Sequence, residues 1–510
     1  MAKDEKITYS EAIKFKNKPI SLNINSDKED KLNSYSEQAI DEAISILKMP
    51  AKQIAIGGFK IYTYQDKSIQ EKIESSLKSV YFKNNDYGSI LIDNSSCGIV
   101  AFKGNSAYKI LENKRQPGSC IKPILVYAPA LEKNIITPST QILDEQINIS
   151  NFSPKNVDGK FHGYVSTKEA LSKSYNIPAV KVLSYVGIDE AKFYASKTGF
   201  NFDKNDNSYA LALGGMTYGT TLKELAGSYT TFANNGKFSS PKFIKFIEDK
   251  HGKIIYSHSP NFKQVFRDDT AYLITDMLKE SAKNGTAKKL ASITGEIASK
   301  TGTVGIKGKK ENLDAWNITY SSDYTLGTWT GNLDNTPISL SGGNEPTMVA
   351  KNVFSTLENP SFKIPSSVVE RDIDLLELIE THKVTLANKE TPDRHKTTAL
   401  FSRFNEPQST SLNFIMPPKI EAHIEMEGDK KFLVFNTKQH LKYSLIDKKQ
   451  GLIIAEVKNK KEDIKLLLEE NKTYILEVSY LDGSLPNTKE FEVKPIVSSF
   501  YNPKNKKWFI

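Results

Sequence analysis

The stretch 115–123 places a serine and a lysine where a loop turns into a helix. Pro117-Gly118 is a typical loop pair, and residues 121–131 are apolar enough for a buried helix. Residues three positions apart share one helix face, so Lys122 should lie beside Ser119. Lysine can accept a serine proton when burial or nearby cations lower its pKa. The stretch therefore predicts that Ser119 is a catalytic nucleophile and that Lys122 is its base.

The Ser-x-x-Lys spacing alone is weak evidence in a chain with so many lysines. It recurs at Ser45/Lys48, Ser75/Lys78, Ser106/Lys109 and Ser239/Lys242. Two later segments distinguish Ser119 from these repeats.

The first of these segments is Ser174-Tyr175-Asn176, which interrupts a helix predicted to begin at Thr167. A tight loop there would present a hydroxyl and a carboxamide, suited to proton relay and to binding a peptide amide. The ordinary meaning of such a string is a helix–helix turn. The same spacing also recurs at Ser21/Asn23 and Ser411/Asn413.

The second segment is Lys300-Thr301-Gly302-Thr303, within a predicted strand at 297–304. It offers an ammonium, two hydroxyls and a glycine that would let a substrate backbone approach, which is the chemistry of a carboxylate-binding strand. The same tripeptide at Lys197-Thr198-Gly199 fits an ordinary helix end, so we predict no site there.

Composition narrows the class of protein. The chain has 510 residues, 38% hydrophobic and 25% charged, which predicts two or three domains. The net charge of +9 is spread among 69 basic and 60 acidic residues, which favours a solvated surface over a nucleic-acid partner. Two cysteines and seven scattered histidines predict neither a disulfide framework nor a metal site, and no cofactor is expected.

The order of predicted elements indicates an α+β fold rather than a repeating βαβ fold. A helix at 36–48 is followed by a strand at 54–64, a helix at 66–79 and a strand hairpin at 89–103. A long helical middle then leads to three further strands, at 297–304, 315–321 and 325–331.

The region 411–510 has short alternating runs separated by turns. These runs lie at 432–436, 441–446, 452–457, 474–480 and 489–493. They predict a small all-β sandwich of fibronectin or immunoglobulin type, with a spacer or wall-contacting role.

Taken in order, the three segments resemble the motifs of the penicillin-recognising serine transferases. The flanks resemble the transpeptidase region of class A penicillin-binding proteins. These flanks are Pro117-Gly118-Ser119, Asn156-x-Asp158-Gly159, Leu213-Gly214-Gly215 and Asp314-Ala315-Trp316. The resemblance implies a transpeptidase fold over 36–410, with an antiparallel sheet flanked by helices plus a helical subdomain. Residues 1–35, with a helical piece near 9–18, resemble a connector from a glycosyltransferase module that this chain lacks.

The resemblance also implies roles for the first two motifs. Ser119 would attack the carbonyl between the two terminal D-alanines of a peptidoglycan stem peptide, with Lys122 as base. Ser174 would pass a proton to the leaving D-alanine, and Asn176 would hold the donor peptide.

The third motif would bind the terminal carboxylate through Lys300, Thr301 and Thr303, with Gly302 completing the substrate-binding segment. The backbone N–H groups of Ser119 and Thr303 would form the oxyanion hole. Cys120 stands where the family usually has a smaller residue, which removes no catalytic group.

The implied function is a D,D-transpeptidase that cross-links stem peptides and is a target of β-lactams. It would act at the extracytoplasmic face of a bacterial membrane, anchored through an N-terminal segment absent from this chain, with other wall-synthesis proteins as partners. The alternatives are a D,D-carboxypeptidase and a non-catalytic sensor or scaffold that penicillin acylates. A β-lactamase is disfavoured because no Glu-x-x-Leu-Asn motif lies between the second and third motifs.

Overall fold

A computed structural model describes Thr8 and residues 33–105, 107–481, 483–495, 500–502 and 507–509. The predicted helical piece near 9–18, and most of the predicted connector, lie outside these residues.

The α-helices follow the predicted pattern closely, and one prediction is wrong. They span Ser34–Leu47, Ala51–Ile56, Lys67–Ser79, Ala107–Glu112, Ala128–Glu132, Thr167–Ser172, Asn176–Val186, Ile188–Ser196, Leu222–Ala233, Asp268–Lys283, Glu345–Phe354 and Leu375–Thr381. The predicted strand at 54–64 is instead a short helix followed by the strand Lys60–Thr63. Ile54 is the buried residue of that helix, and so short a helix shows no clear periodicity.

The centre of the fold is a five-stranded antiparallel sheet. Its order is Ala298–Gly305, Asn312–Tyr320, Tyr324–Gly331, Asp86–Asp93 and Gly98–Gly104. Alternate residues enter two different cores, Ile90 and Ile92 in one and Leu91 in the other. Helices cover both faces, which confirms the α+β fold with an antiparallel sheet flanked by helices.

Small sheets complete this part of the chain. One is a three-stranded sheet of Lys60–Thr63, Ile244–Glu248 and Ile254–Ser257. The others are two-stranded ribbons, which pair Gln141–Asp144 with Gly163–Ser166, Lys237–Phe238 with Lys263–Gln264, and Val368–Asp374 with Lys396–Ser402. Among the described residues, no helix combines the length and apolar character needed to cross a bilayer.

The last part of the chain contains two packed sheets around their own core. One has three strands, Ala422–Glu427, Lys430–Asn436 and Asp463–Leu468. The other has four, Leu452–Lys458, Leu441–Asp447, Lys472–Tyr480 and Asn487–Val493. The Tyr474 hydroxyl accepts the Glu469 N–H at 3.1 Å, as in the tyrosine corner of such sandwiches. The small β-sandwich is confirmed, with two strands that the sequence pattern did not reveal. A separate ribbon pairs Phe500–Asn502 with Lys507–Phe509.

Candidate active site

Ser119 lies in an irregular helix against the edge of the central sheet. A 3₁₀ turn, Gly118–Ile121, leads into a π-helical turn, Pro123–Tyr127, and then an α-helical turn, Ala128–Glu132. The predicted helix at 121–131 is present but changes pitch at Pro123, which has no N–H to donate. Ser119 stays partly exposed, whereas Lys122 is fully buried.

Side chains from the sheet fix the turn that precedes Ser119. Arg115 Nε donates to the buried carboxylate of Asp314 at 2.6 Å, and Trp316 Nε1 donates to the Gln116 carbonyl at 2.9 Å. The Gln116 side chain also accepts the Met216 N–H at 2.9 Å. Burial raises the pKa of Asp314, and its pairing with Arg115 opposes that shift. The predicted flanking motifs thus hold the serine turn in place.

Close backbone packing requires glycine at two of these positions. A Cβ on Gly214, whose φ is +89°, would lie 2.5 Å from the Gly118 nitrogen. A Cβ on Gly302 would lie 2.6 Å from the Pro117 carbonyl oxygen and 3.0 Å from Cys120 Sγ. The expectation that Gly302 admits the substrate backbone stays a prediction, and the structure adds a second reason for glycine, because it lets the strand pack against the serine turn.

Replacing Gly302 with alanine should therefore damage the site through the backbone. The added methyl must push apart the strand and the serine turn, and such overpacking costs about 1–3 kcal/mol. We expect Gly302→Ala to lower the rate of serine acylation by at least about tenfold, measured with a fluorescent penicillin alongside thermal unfolding. An unchanged acylation rate would contradict this account of Gly302.

Ser174 lies in a tight loop between the helices Thr167–Ser172 and Asn176–Val186, as predicted. Its φ of +64° is in the left-handed region, which non-glycine residues rarely adopt. Asn156 Oδ1 accepts the Asn176 N–H at 2.8 Å and supports the loop from outside.

Two buried lysines hold this loop from inside. Lys122 Nζ donates to the carbonyls of Ser174 and Tyr175 at 2.8 and 3.0 Å and to Asn176 Oδ1 at 2.8 Å. It also lies 3.4 Å from Ser174 Oγ. Lys300 Nζ donates to that same hydroxyl at 2.8 Å. The Ser174 hydroxyl therefore lies between the two lysine nitrogens.

Both lysines have lowered pKa values. Burial lowers the pKa of Lys122 well below its usual range, and the Lys300 charge adds to the effect. Burial lowers the pKa of Lys300 to about 8. Among the described residues, no carboxylate forms an ion pair with either lysine. Both shifts make the loss of a proton easier for these amines than for an exposed lysine.

Ser119 opens into a cleft of about 490 Å³. Its lining is Ser119, Val157, Asp158, Lys173, Ser174, Tyr175, Thr286, Thr301, Thr303, Asn312, Ser341 and Gly343. Thr301 Oγ1 donates to Thr286 Oγ1 at 2.7 Å, and the exposed Thr303 accepts the Gly342 N–H at 3.1 Å.

The structure brings together all the predicted site residues. Four of them line the cleft, and Lys122, Asn176, Lys300 and Gly302 lie directly behind it. Sequence reasoning missed Thr286, Asn312 and Ser341, which stand alone in the chain and have no recognisable motif.

Cys120 and Lys197 lie outside the cleft chemistry. The buried Cys120 thiol donates to the Lys300 carbonyl at 3.4 Å, and burial raises its pKa to about 12, so it packs as a protonated thiol. Lys197 ends the helix Ile188–Ser196 with its ammonium 3.9 Å from the Phe193 ring centre. The described residues include no cluster of histidine, cysteine and carboxylate side chains that could hold a metal ion.

Comparisons with known proteins identify the family of the chain. The family model described as penicillin binding protein transpeptidase domain matches residues 83–355. The chain is 30% identical over 363 residues to penicillin-binding protein 1F of Bacillus subtilis, covering 68% of this chain and 50% of that protein. It is 33% identical over 392 residues to penicillin-binding protein 1A/1B of the same organism, covering 71% and 42%. The chain thus spans about half the length of these curated relatives.

Two solved structures share the fold at low identity. Penicillin-binding protein 1A from Haemophilus influenzae aligns with a TM-score of 0.63 at 18% identity, covering 80% of this chain and 81% of that one. PonA1 from Mycobacterium tuberculosis, solved with penicillin V, aligns with a TM-score of 0.58 at 19% identity, covering 65% and 95%. Because the family model covers more than half of the sequence, the chain belongs to the penicillin-binding protein transpeptidase family.

Proposed function

We propose that the chain is a peptidoglycan D,D-transpeptidase that works through an acyl-enzyme on Ser119. The observation that carries the proposal is that Ser119 and Ser174 line one cleft, with two buried lysines directly behind it that pair with no carboxylate among the described residues. This arrangement supplies a nucleophile, a low-pKa amine and a fixed cation.

In the acylation step, neutral Lys122 takes the proton of the Ser119 hydroxyl as the oxygen attacks the carbonyl before the terminal D-alanine. Lys300, Thr301 and Thr303 bind the terminal carboxylate of the donor, because they present an ammonium and two hydroxyls along one strand. The backbone N–H of Ser119 is in the first turn of its helix and has no partner within that helix, so it can donate to the developing oxyanion. The N–H of Thr303 is the second oxyanion donor.

Ser174 connects the two lysines and is therefore placed to move the proton. Its hydroxyl lies 3.4 Å from Lys122 Nζ and 2.8 Å from Lys300 Nζ. The proton passes from Lys122 through Ser174 to the leaving D-alanine nitrogen, and the C–N bond breaks. Asn176 orients the donor amide and keeps Lys122 in place through its Oδ1 atom.

The two lysines predict a bell-shaped pH profile for acylation. The base Lys122 acts when neutral, so the rate rises with pH through its lowered pKa. Lys300 binds a carboxylate when protonated, so the rate falls as the pH passes about 8. The measurement is kcat/KM for benzylpenicillin acylation against pH. Lys300→Arg should lose the falling limb because a guanidinium stays charged, and a wild-type profile without that limb would contradict the assignment.

The fate of the acyl-enzyme separates the alternatives. Turnover of a donor ending in D-Ala-D-Ala should be measured with and without an acceptor amine. A transpeptidase forms the new amide at the expense of hydrolysis, while a carboxypeptidase hydrolyses regardless of the amine. A penicillin-acylated sensor or scaffold neither hydrolyses the donor nor forms the new amide.

We further propose that residues 36–410 form the catalytic domain and 411–510 a spacer domain on the extracytoplasmic side of the membrane. Stem peptides and β-lactams are the proposed ligands. Direct contacts between the two regions support a fixed spacer, since Asn413 Nδ2 donates to Asp374 Oδ2 at 3.1 Å and the Phe414 ring stacks on His395 with centroids 5.3 Å apart.

A further inference from the structure

Asp158 has no part in the proposed acylation chemistry, yet its side chain lies on the rim of the catalytic cleft. Of the described residues that line the cleft, it is the one carboxylate, and its side chain is 46% exposed. The lining cation, Lys173, donates to the Asn284 carbonyl at 2.6 Å and forms no ion pair with Asp158. The rim therefore presents an accessible negative charge in the same cleft as Ser119.

The position of this carboxylate is fixed relative to the catalytic lysine. Asp158 accepts the Lys160 N–H at 3.1 Å and lies 3.0 Å from His162 Nε2. The His162 ring stacks on Tyr175 with centroids 4.1 Å apart, and the Tyr175 carbonyl accepts a hydrogen bond from Lys122. The hydrogen bond from the Lys160 N–H is the main cause that lowers the pKa of Asp158, and the neighbouring His162 contributes in the same direction. The carboxylate is ionised at neutral pH and retains free lone pairs for a ligand.

A preformed carboxylate on an open rim suits an ammonium ligand, and the proposed reaction brings one to this cleft. We propose that Asp158 binds a primary ammonium group of a stem peptide, carried either by the donor's diamino-acid side chain or by the acceptor strand. This inference rests on the proposed transpeptidase function. It means that the rim of the cleft selects a positively charged group on the stem peptide.

When the acceptor strand carries the bound ammonium group, its nitrogen becomes the nucleophile that releases Ser119. The docked ammonium releases one proton to solvent, and the neutral amine nitrogen forms a bond to the acyl carbon. The ester bond to Ser119 breaks as its Oγ receives the second proton from that nitrogen. The products are the amide cross-link and free Ser119.

The first arm of the test compares two donor peptides that end in D-Ala-D-Ala and differ only in a lysine side chain, free or acetylated. Wild type should prefer the free ammonium by about fivefold in kcat/KM, the upper range for a partly exposed ion pair. In Asp158→Asn, which keeps an acceptor for the Lys160 N–H, that preference should disappear.

The second arm uses the acetylated donor and measures how the acyl-enzyme divides between water and an added acceptor amine. If Asp158 binds the acceptor, Asp158→Asn should shift this division towards hydrolysis by about fivefold. Loss in the first arm assigns the donor ammonium, and loss in the second assigns the acceptor. No loss in either arm overturns the proposal.

Two controls keep the result interpretable. Asp249→Asn changes a carboxylate that also accepts a turn N–H, from His251 at 2.9 Å, but does not line the cleft, and it should leave both ratios unchanged. In wild type, raising the salt concentration should reduce the free-ammonium preference, because salt screens exposed pairs. Failure of the proposed function itself would look different, since wild type would then form no acyl-enzyme from either donor.

Discussion

Lys122→Ala is expected to reduce the second-order rate of Ser119 acylation by about 10²- to 10⁴-fold, the usual contribution of a positioned general base. Burial lowers the pKa of the Lys122 amine, which favours its role as a proton acceptor, and no carboxylate pairs with it among the described residues. The measurement is the rate of benzylpenicillin adduct formation by intact mass.

Structural damage must be separated from the loss of the base. Removing Lys122 leaves the carbonyls of Ser174 and Tyr175 and the Asn176 Oδ1 without their donor, and each such loss costs about 1–3 kcal/mol. Thermal unfolding of the variant should therefore be recorded in parallel. Lys78→Ala removes the lysine of a surface Ser-x-x-Lys repeat and should acylate at the wild-type rate. A folded Lys122→Ala protein that acylates normally would exclude Lys122 as the base.

Lys300→Ala is expected to lower acylation by about 10²- to 10³-fold, comparable to the loss of a charge-stabilising donor in other active sites. The change removes the cation proposed to bind the donor carboxylate and the 2.8 Å hydrogen bond that positions Ser174 Oγ. Its effect should appear both in the rate constant and in the apparent affinity, measured by adduct formation over a range of benzylpenicillin concentrations.

The matched control is the second Lys-Thr-Gly tripeptide. Lys197 lies at a helix end over the Phe193 ring, so Lys197→Ala should change acylation by less than about twofold. Large loss in Lys197→Ala together with normal acylation in Lys300→Ala would mean that the wrong tripeptide was assigned.

Much of the fold could be predicted because its elements have strong local patterns. The strand hairpin at 89–103, the long helices and five strands of the β-sandwich all show clear periodicity. The strand predicted at 54–64 failed because a six-residue helix with the single buried residue Ile54 leaves no helical signature. Strands at Ala422–Glu427 and Asp463–Leu468 were missed because each has only one fully buried side chain.

The candidate site could be predicted only in part from the sequence. The spacing and order of the residues identified the three motifs, but they did not show how the motifs contact one another in the fold. Lys122 holds the Ser174 loop through backbone carbonyls, and the close approach of the Pro117 carbonyl oxygen requires a glycine at 302. Both features depend on contacts between residues that are distant in the chain. Thr286 reaches the cleft from a loop after a helix, and no local pattern predicts such a position.

The central claim is that Ser119 carries the acyl group. The most direct measurement is intact-mass analysis of wild type and Ser119→Ala over time with benzylpenicillin, followed by peptide mapping of the adduct. We predict one persistent adduct on the peptide containing Ser119 in wild type and none in Ser119→Ala. An adduct that survives in Ser119→Ala, or that maps to another serine, would contradict the account.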